Sequence, residues 1–270
     1  MKVIAVATAK GGVGKTTTVI SLAYELKKAG KKVLIIDNDP QANITSHCGT
    51  YNPEEEGYYS LTGLYNIILQ NLSDDASQDQ PLPPIEEVVI HKNGFDYIGA
   101  DLKLENAERT MYITSGTDTI MRKVIKAYAL NYDYVLIDCR PSLGKLTWNA
   151  LAVADSIIII LPIENYAFEG MSALLNRVRA VKGDINPRLK IEGVLYTFYQ
   201  KNYRLTKKLR QEIQEHMSKS IYIFNAKIPT SVKVKEAASL KKAVGEYAPD
   251  NPAAIGYAEL AKELLLKEKQ

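Results

Sequence analysis

The chain has little of what would tie it to an oxidising compartment or a bilayer. Its 270 residues include only two cysteines, Cys48 and Cys139, too few for a disulfide framework and without the spacing of a metal site. Each is expected to be a small, reduced, half-buried hydrophobe. No run of eighteen apolar residues occurs, which excludes a membrane-spanning helix. The opening "MKVIAVATAK" is apolar over too few residues for a secretory signal, so the expected compartment is the cytoplasm. Internal repeats and linker-like stretches are also missing. At this length, with 46% hydrophobic and 24% charged residues, the expectation is one α/β domain over 1–270.

What charge there is lies unevenly. The net value is only +3, yet residues 51–110 carry twelve Asp/Glu against three Lys/Arg, and residues 201–242 carry eleven Lys/Arg against three Glu. A basic excess of that density suits an anionic partner, nucleic acid first and a membrane surface second, with a solvated helix face as the plain alternative.

Five short stretches, "KVIAVAT", "KVLIID", "YDYVLID", "SIIIILP" and "IEGVLYT", are β-branched-rich and apolar almost without a break. Strands covered on both faces look like this. They alternate with helical patterns, so the predicted fold is a mostly parallel twisted sheet flanked by helices on both faces. The first helix should start in the glycine loop and stop at Gly30. Further helices are predicted over Thr114–Leu130, Phe168–Val181, Leu205–Met217 and Pro252–Leu266. Residues 51–101 read as a variable surface region, in which "SLTGLYNIIL" has helical spacing and "LSDDASQDQPLPP" suits a loop.

The stretch "AKGGVGKTTT" ends as a phosphate loop does, with Gly14, Lys15 and Thr16, but Ala9 stands where the first glycine of G-x-x-x-x-G-K-[ST] belongs. A strand precedes it and a helix follows. In that setting the backbone N–H groups of Gly11, Gly12, Val13, Gly14 and Lys15 point at phosphates, and the helix N-terminus adds positive potential. Lys15 would reach the β- and γ-phosphates, and the Thr16 hydroxyl would ligate Mg²⁺. Two other strands end in acid: "YDYVLID" in Asp138, which suits a Walker B aspartate, and "KVLIIDNDPQ" in Asp37 and Asp39. A second lysine in the loop, Lys10, is more than one phosphate cradle needs.

Five motifs, "KGGVGKTT", "DNDPQAN", "VLIDCRPSLG", "PIENYAFEG" and "IPTSVKVKEAASLKKAV", resemble the ParA/Soj-type partition ATPases, within the group that includes MinD and the nitrogenase iron protein. They span nearly the whole chain, which looks like the short form without an N-terminal helix-turn-helix. The resemblance implies a deviant Walker A loop, Lys10 to Thr17, in which Lys10 reaches the nucleotide of a second subunit. It implies an ATP-dependent homodimer, Asp39 orienting the attacking water and touching Mg²⁺ through water, and Pro229 near the adenine. It also implies non-specific binding of double-stranded DNA in the ATP state, a ParB-type centromere-binding partner, and a nucleoid-associated protein that segregates plasmid, chromosomal or mobile-element DNA. Candidate DNA contacts are Arg204, Lys207, Lys208, Lys233, Lys235, Lys241 and Lys242.

Some positions depart from that pattern. Asn202 stands where some relatives have an arginine, Arg140 replaces the first proline of the pair after the Walker B aspartate, and Lys241 replaces a common glycine. Glu164, Tyr166 and Glu169 either face the partner or stabilise a helix start. The alternatives are a MinD-like or cargo-positioning ATPase on a membrane surface or protein complex, an iron–sulfur reductase, and a small-molecule kinase or ligase. The tail "AELAKELLLKEKQ" lacks a bulky aromatic and reads as a helix docked on the core, against the membrane reading.

Overall fold

The structure, a computed structural model, describes residues 1–73, 79–164, 167–200 and 221–268. Its strands are β1 (Lys2–Ala7), β2 (Val33–Asn38), β3 (Ile90–Lys92), β4 (Phe95–Ile98), β5 (Tyr134–Cys139), β6 (Ser156–Pro162), β7 (Lys190–Tyr199) and β8 (Ile223–Pro229). They form one sheet in the order β3-β4-β2-β5-β1-β6-β7-β8, parallel throughout except for the β3–β4 pair.

Side chains alternate across each strand, so one sheet serves two cores. From β1, Val3, Ala5 and Ala7 face one core and Ile4 and Val6 the other. The first core is closed by α3 (Leu61–Asn71), α4 (Leu104–Ile113), α5 (Ile120–Tyr128), α6 (Lys145–Val153) and α7 (Ala167–Asp184). The second is closed by α1 (Lys15–Lys28), α2 (Asn43–His47), α8 (Val232–Ser239), α9 (Val244–Tyr247) and α10 (Pro252–Lys267). Leu260 and Leu264 of α10 are fully buried, so the last helix spends its apolar face on the sheet. No described helix is long and apolar enough to cross a membrane.

All five predicted strands are present. Strands β3, β4 and β8 were not anticipated: β3 and β4 are only three and four residues long, and β8 alternates buried with half-exposed positions at the sheet edge. Helix α1 stops as expected, with Gly30 at φ +80°, Gly30 N donating to Lys27 O and Lys31 N to Leu26 O, the paired bonds of a Schellman end. The helix predicted over Thr114–Leu130 is cut short. Thr114 is extended and Gly116 is left-handed at φ +76°, so only Ile120–Tyr128 forms α-helix there, while α4 precedes the break. The predicted Leu205–Met217 helix lies outside the described residues. Between 51 and 101, Ser60 caps α3 by accepting from Gly63 N at 3.2 Å, and the β3–β4 hairpin closes the sheet. Both cysteines are fully buried rather than half-buried, and burial pushes the Cys139 thiol up to about 12.

Candidate nucleotide site

The loop between β1 and α1 is built on left-handed turns. Gly12 and Gly14 take φ of +73° and +88°, a region that a β-carbon makes costly. Two hydroxyls hold the loop's carbonyls: Thr197 Oγ1 donates to Val13 O at 2.9 Å, and Thr18 Oγ1 to Gly14 O at 2.8 Å. With two of its carbonyls occupied in this way, the loop is free to turn N–H groups towards an anion.

Strand register assembles the acids. Asp37 at the end of β2 sits beside Asp138 of β5, and Asp39 follows β2 by one residue. Lys15, the first residue of α1, reaches into this group. Its Nζ bonds Asp138 Oδ1 and lies 3.7 Å from Asp39 Oδ2. Thr16 Oγ1 donates to Asp138 Oδ2 at 2.8 Å. Asp37 Oδ2 accepts from Thr45 N at 2.9 Å and Thr45 Oγ1 at 2.6 Å, while its Oδ1 is buried without a hydrogen-bond partner.

One lysine thus faces three carboxylates. Burial alone would lower the Lys15 pKa, but the Asp138 charge outweighs it and keeps the ammonium protonated. Burial and the neighbouring Asp138 push Asp37 up to about 7, against the pull of Thr45. Asp138 is likewise pushed up by burial despite Lys15. A site with more buried acid than base and one orphaned oxygen has the chemistry of a cation site. Among the described residues no group of three or more His, Cys, Asp or Glu is placed to hold a metal ion unaided. A magnesium ion that arrives on a triphosphate needs only one or two protein oxygens, and Thr16 with Asp138 fits that need.

A cavity of about 760 Å³ opens above these groups. Gly11, Gly12, Val13, Gly14, Lys15, Thr16, Thr17 and Asp39 form one wall. Pro229, Thr230, Ser231 and Val234 form another, with Phe198, at φ +53°, nearby. Asp138 lies beneath, fully buried. Lys10 also lines the cavity but is 58% exposed, with its Nζ 2.7 Å from Glu164 Oε1. The structure therefore brings together every residue of the anticipated nucleotide site.

The basic residues are less coherent. Lys235, Lys241 and Lys242 line the same cavity, whereas Lys233 sits on α8 and pairs with Glu236 at 2.8 Å. Lys242 pairs with Glu246 at 3.0 Å, and Lys241 Nζ lies 4.8 Å from the centre of the Tyr51 ring. Arg204, Lys207 and Lys208, like Asn202 and Tyr166, lie outside the described residues. Thr197 was not anticipated. Its signal, a hydroxyl at the end of an apolar strand, is common, and its partner Val13 is 184 residues away.

Residues 1–191 match the family model described as an AAA domain. The chain is 35% identical over 272 residues to the chromosome partitioning protein ParA of Caulobacter vibrioides, covering 100% of this chain and 96% of that one. It is 37% identical over 263 residues to the sporulation initiation inhibitor protein Soj of Bacillus subtilis, covering 97% and 98%. Among solved structures, cobyrinic acid a,c-diamide synthase from Mycobacterium smegmatis, with bound ATP analogue and magnesium, superposes with a TM-score of 0.81 at 26% identity, covering 100% of this chain and 96% of that one.

Proposed function

The chain belongs to the AAA-domain family and, within it, to the ParA/Soj-type partition ATPases, and from that premise we propose that it is a Mg²⁺-dependent ATPase that pairs into a homodimer on ATP. In its ATP state it binds double-stranded DNA without sequence preference, and it hydrolyses ATP to segregate DNA with a ParB-type partner. The observation that carries this reading is the contrast between the two loop lysines. Lys15 is buried among the carboxylates of its own subunit, whereas Lys10 stands 58% exposed at the cavity rim.

The residues divide the work by position. The loop N–H groups and Lys15 receive the phosphates, and Pro229 borders the base. Asp39, with its Oδ1 steadied by Gln41 N at 3.1 Å, orients water for in-line attack on the γ-phosphate. Thr16 and Asp138 would hold Mg²⁺, and Asp39 would touch it through water. That ion supplies charge neutralisation on the phosphate oxygens. Lys10 supplies a cation in trans, so a second subunit completes each site. Release of Lys10 from Glu164 accompanies pairing.

DNA contacts fall to Arg204, Lys207, Lys208, Lys233, Lys235, Lys241 and Lys242, acting on phosphates, and the protein would act in the cytoplasm on the nucleoid. A membrane reading is less well supported, because the apolar face of α10 is already buried.

The test is light scattering with no nucleotide, ADP and a non-hydrolysable ATP analogue, alongside binding to random duplex DNA at several salt concentrations. The expected result is a dimer and salt-sensitive DNA binding only with the analogue. Lys10→Ala should remain monomeric, and Asp39→Ala should dimerise but turn over about a hundredfold more slowly. Equal DNA binding in all three nucleotide states would defeat the switching mechanism.

A further inference from the structure

The loop after Asp138, residues 140–144, is held from outside the nucleotide site by one carboxylate. Glu108, on α4, is nearly buried, and its two oxygens engage the start of that loop and the first turn of α6, which follows it. Oε2 bonds Arg140 Nη1 at the start of the loop, and Oε1 accepts from Leu146 N at 3.1 Å in α6. Gly144 passes so close that a β-carbon there would collide with Glu108 Oε1. Glu105, one turn earlier on α4, lies 3.7 Å from Arg140 Nη2. Further along, Thr147 Oγ1 donates to Ser142 O at 2.6 Å, and Lys145 pairs with Asp118 at 2.5 Å.

The other side of this loop faces the phosphates. Pro141 lines the nucleotide cavity, and its Cγ is 4.0 Å from where a β-carbon on Gly11 would stand. Two residues before Arg140, Asp138 holds Lys15 and Thr16. A shift of the loop would therefore carry Pro141 away from the phosphate loop and disturb the backbone that presents Asp138.

Building on the ATPase reading above, we propose that Arg140 and Glu108 are a positioning pair for hydrolysis, an ionic clamp that fixes Pro141 against the phosphate loop. A charge-assisted bond inside a partly desolvated contact is stiff as well as strong. Neither side chain touches the reacting atoms; both act through the loop. Nucleotide affinity comes chiefly from the phosphate loop and Lys15, so loss of the clamp slows turnover more than it weakens ATP binding.

Two single substitutions isolate the ionic bond. Arg140→Gln removes the guanidinium, and Glu108→Gln removes the charge while keeping an oxygen for Leu146 N. Each is expected to lower kcat about tenfold with KM for ATP within about twofold, because a small misplacement near the chemistry is enough for that. The double variant should be no slower than either single one, since both break the same bond. Arg140→Lys, which keeps the charge, should recover part of the loss.

The chain's single tryptophan, Trp148, lies on α6 one turn beyond the loop, with Arg177 stacked 5.3 Å from its ring centre, and reports the clamp without reference to activity. Acrylamide quenching of Trp148 should rise in Arg140→Gln and Glu108→Gln and return towards the unsubstituted level in Arg140→Lys. Additive losses in the double variant, or unchanged kcat and unchanged quenching in the single ones, would overturn the proposal. An unsubstituted chain that hydrolyses no ATP would sink the ATPase reading instead, and the clamp would then stand or fall on Trp148 quenching.

Discussion

Where the parallel strands begin, Glu192 receives Lys2 at 2.9 Å and Lys267 at 3.0 Å, and Glu268 receives Lys2 at 3.5 Å and the Tyr134 hydroxyl at 2.5 Å. Where they finish, Asp39 and Asp138 share the ammonium of Lys15, and Asp37 sits beside Asp138 with no ion pair of its own among the described residues. Burial pushes Glu192 up, but Lys2 and Lys267 outweigh it and hold its carboxyl below the usual range. At the other end burial prevails, and Asp37 rises to about 7. The first cluster is complete in itself and serves the fold. The second sets one buried lysine against three buried acids, and that imbalance is what a magnesium–nucleotide complex would fill. Charged residues single out a candidate site here through what their neighbours leave unpaired, and their number alone says little.

The sharpest way to break this contrast is Lys15→Ala. It should weaken ATP binding about a hundredfold or more, since the contact is a desolvated charge on phosphate, as read by titration with a fluorescent nucleotide. Retained affinity would mean that the acid-rich end is not the phosphate site.

Glu192→Gln strikes the complete cluster instead. At pH 7 it should cost about 2 kcal/mol in denaturant unfolding and leave ATP affinity alone. The sign follows from the depressed carboxyl: its contribution is present above the unfolded-state value, about 4.3, and is lost as pH falls through the lower folded value. Substituted and unsubstituted chains should therefore converge in stability only once pH has fallen below that lower folded value.

The smallest effect concerns Lys241. It takes φ +56° at the end of α8, with Lys241 N bonded to Ala238 O and Lys242 N to Ala237 O, the left-handed position of a Schellman end that glycine fills most easily. Lys241→Gly should raise stability by about 1 kcal/mol in thermal unfolding, while removing one positive charge from the basic segment. A loss of stability would mean that the contact of Lys241 with Tyr51 outweighs the backbone strain.

The nucleotide loop and its acids were legible in the sequence because their chemistry is local: glycines, lysine and threonine in eight residues, and aspartates at the ends of apolar strands. Strands β3 and β4 were not, since runs of three and four residues carry no usable periodicity. The Thr114–Leu130 prediction followed apolar spacing through Gly116, where the backbone turned left-handed. Glu108 escaped notice because an acid on an amphipathic helix normally faces water, and only the tertiary fold brings Arg140 and Leu146 to it. The departure at Lys241 was visible, but its backbone strain was not. The basic segment was legible as composition alone. Of its seven candidates, three lie outside the described residues and Lys233 and Lys242 are occupied by nearby glutamates.

Lys2 and Glu268 come within ion-pair reach where the parallel strands begin, far from the phosphate loop. A short peptide bridge could join positions 2 and 268, giving a circularly permuted variant of residues 2–268 that opens elsewhere and keeps its interior intact. Fluorescent reporters attached there would ride on the back of the molecule, clear of the mouth through which nucleotide enters.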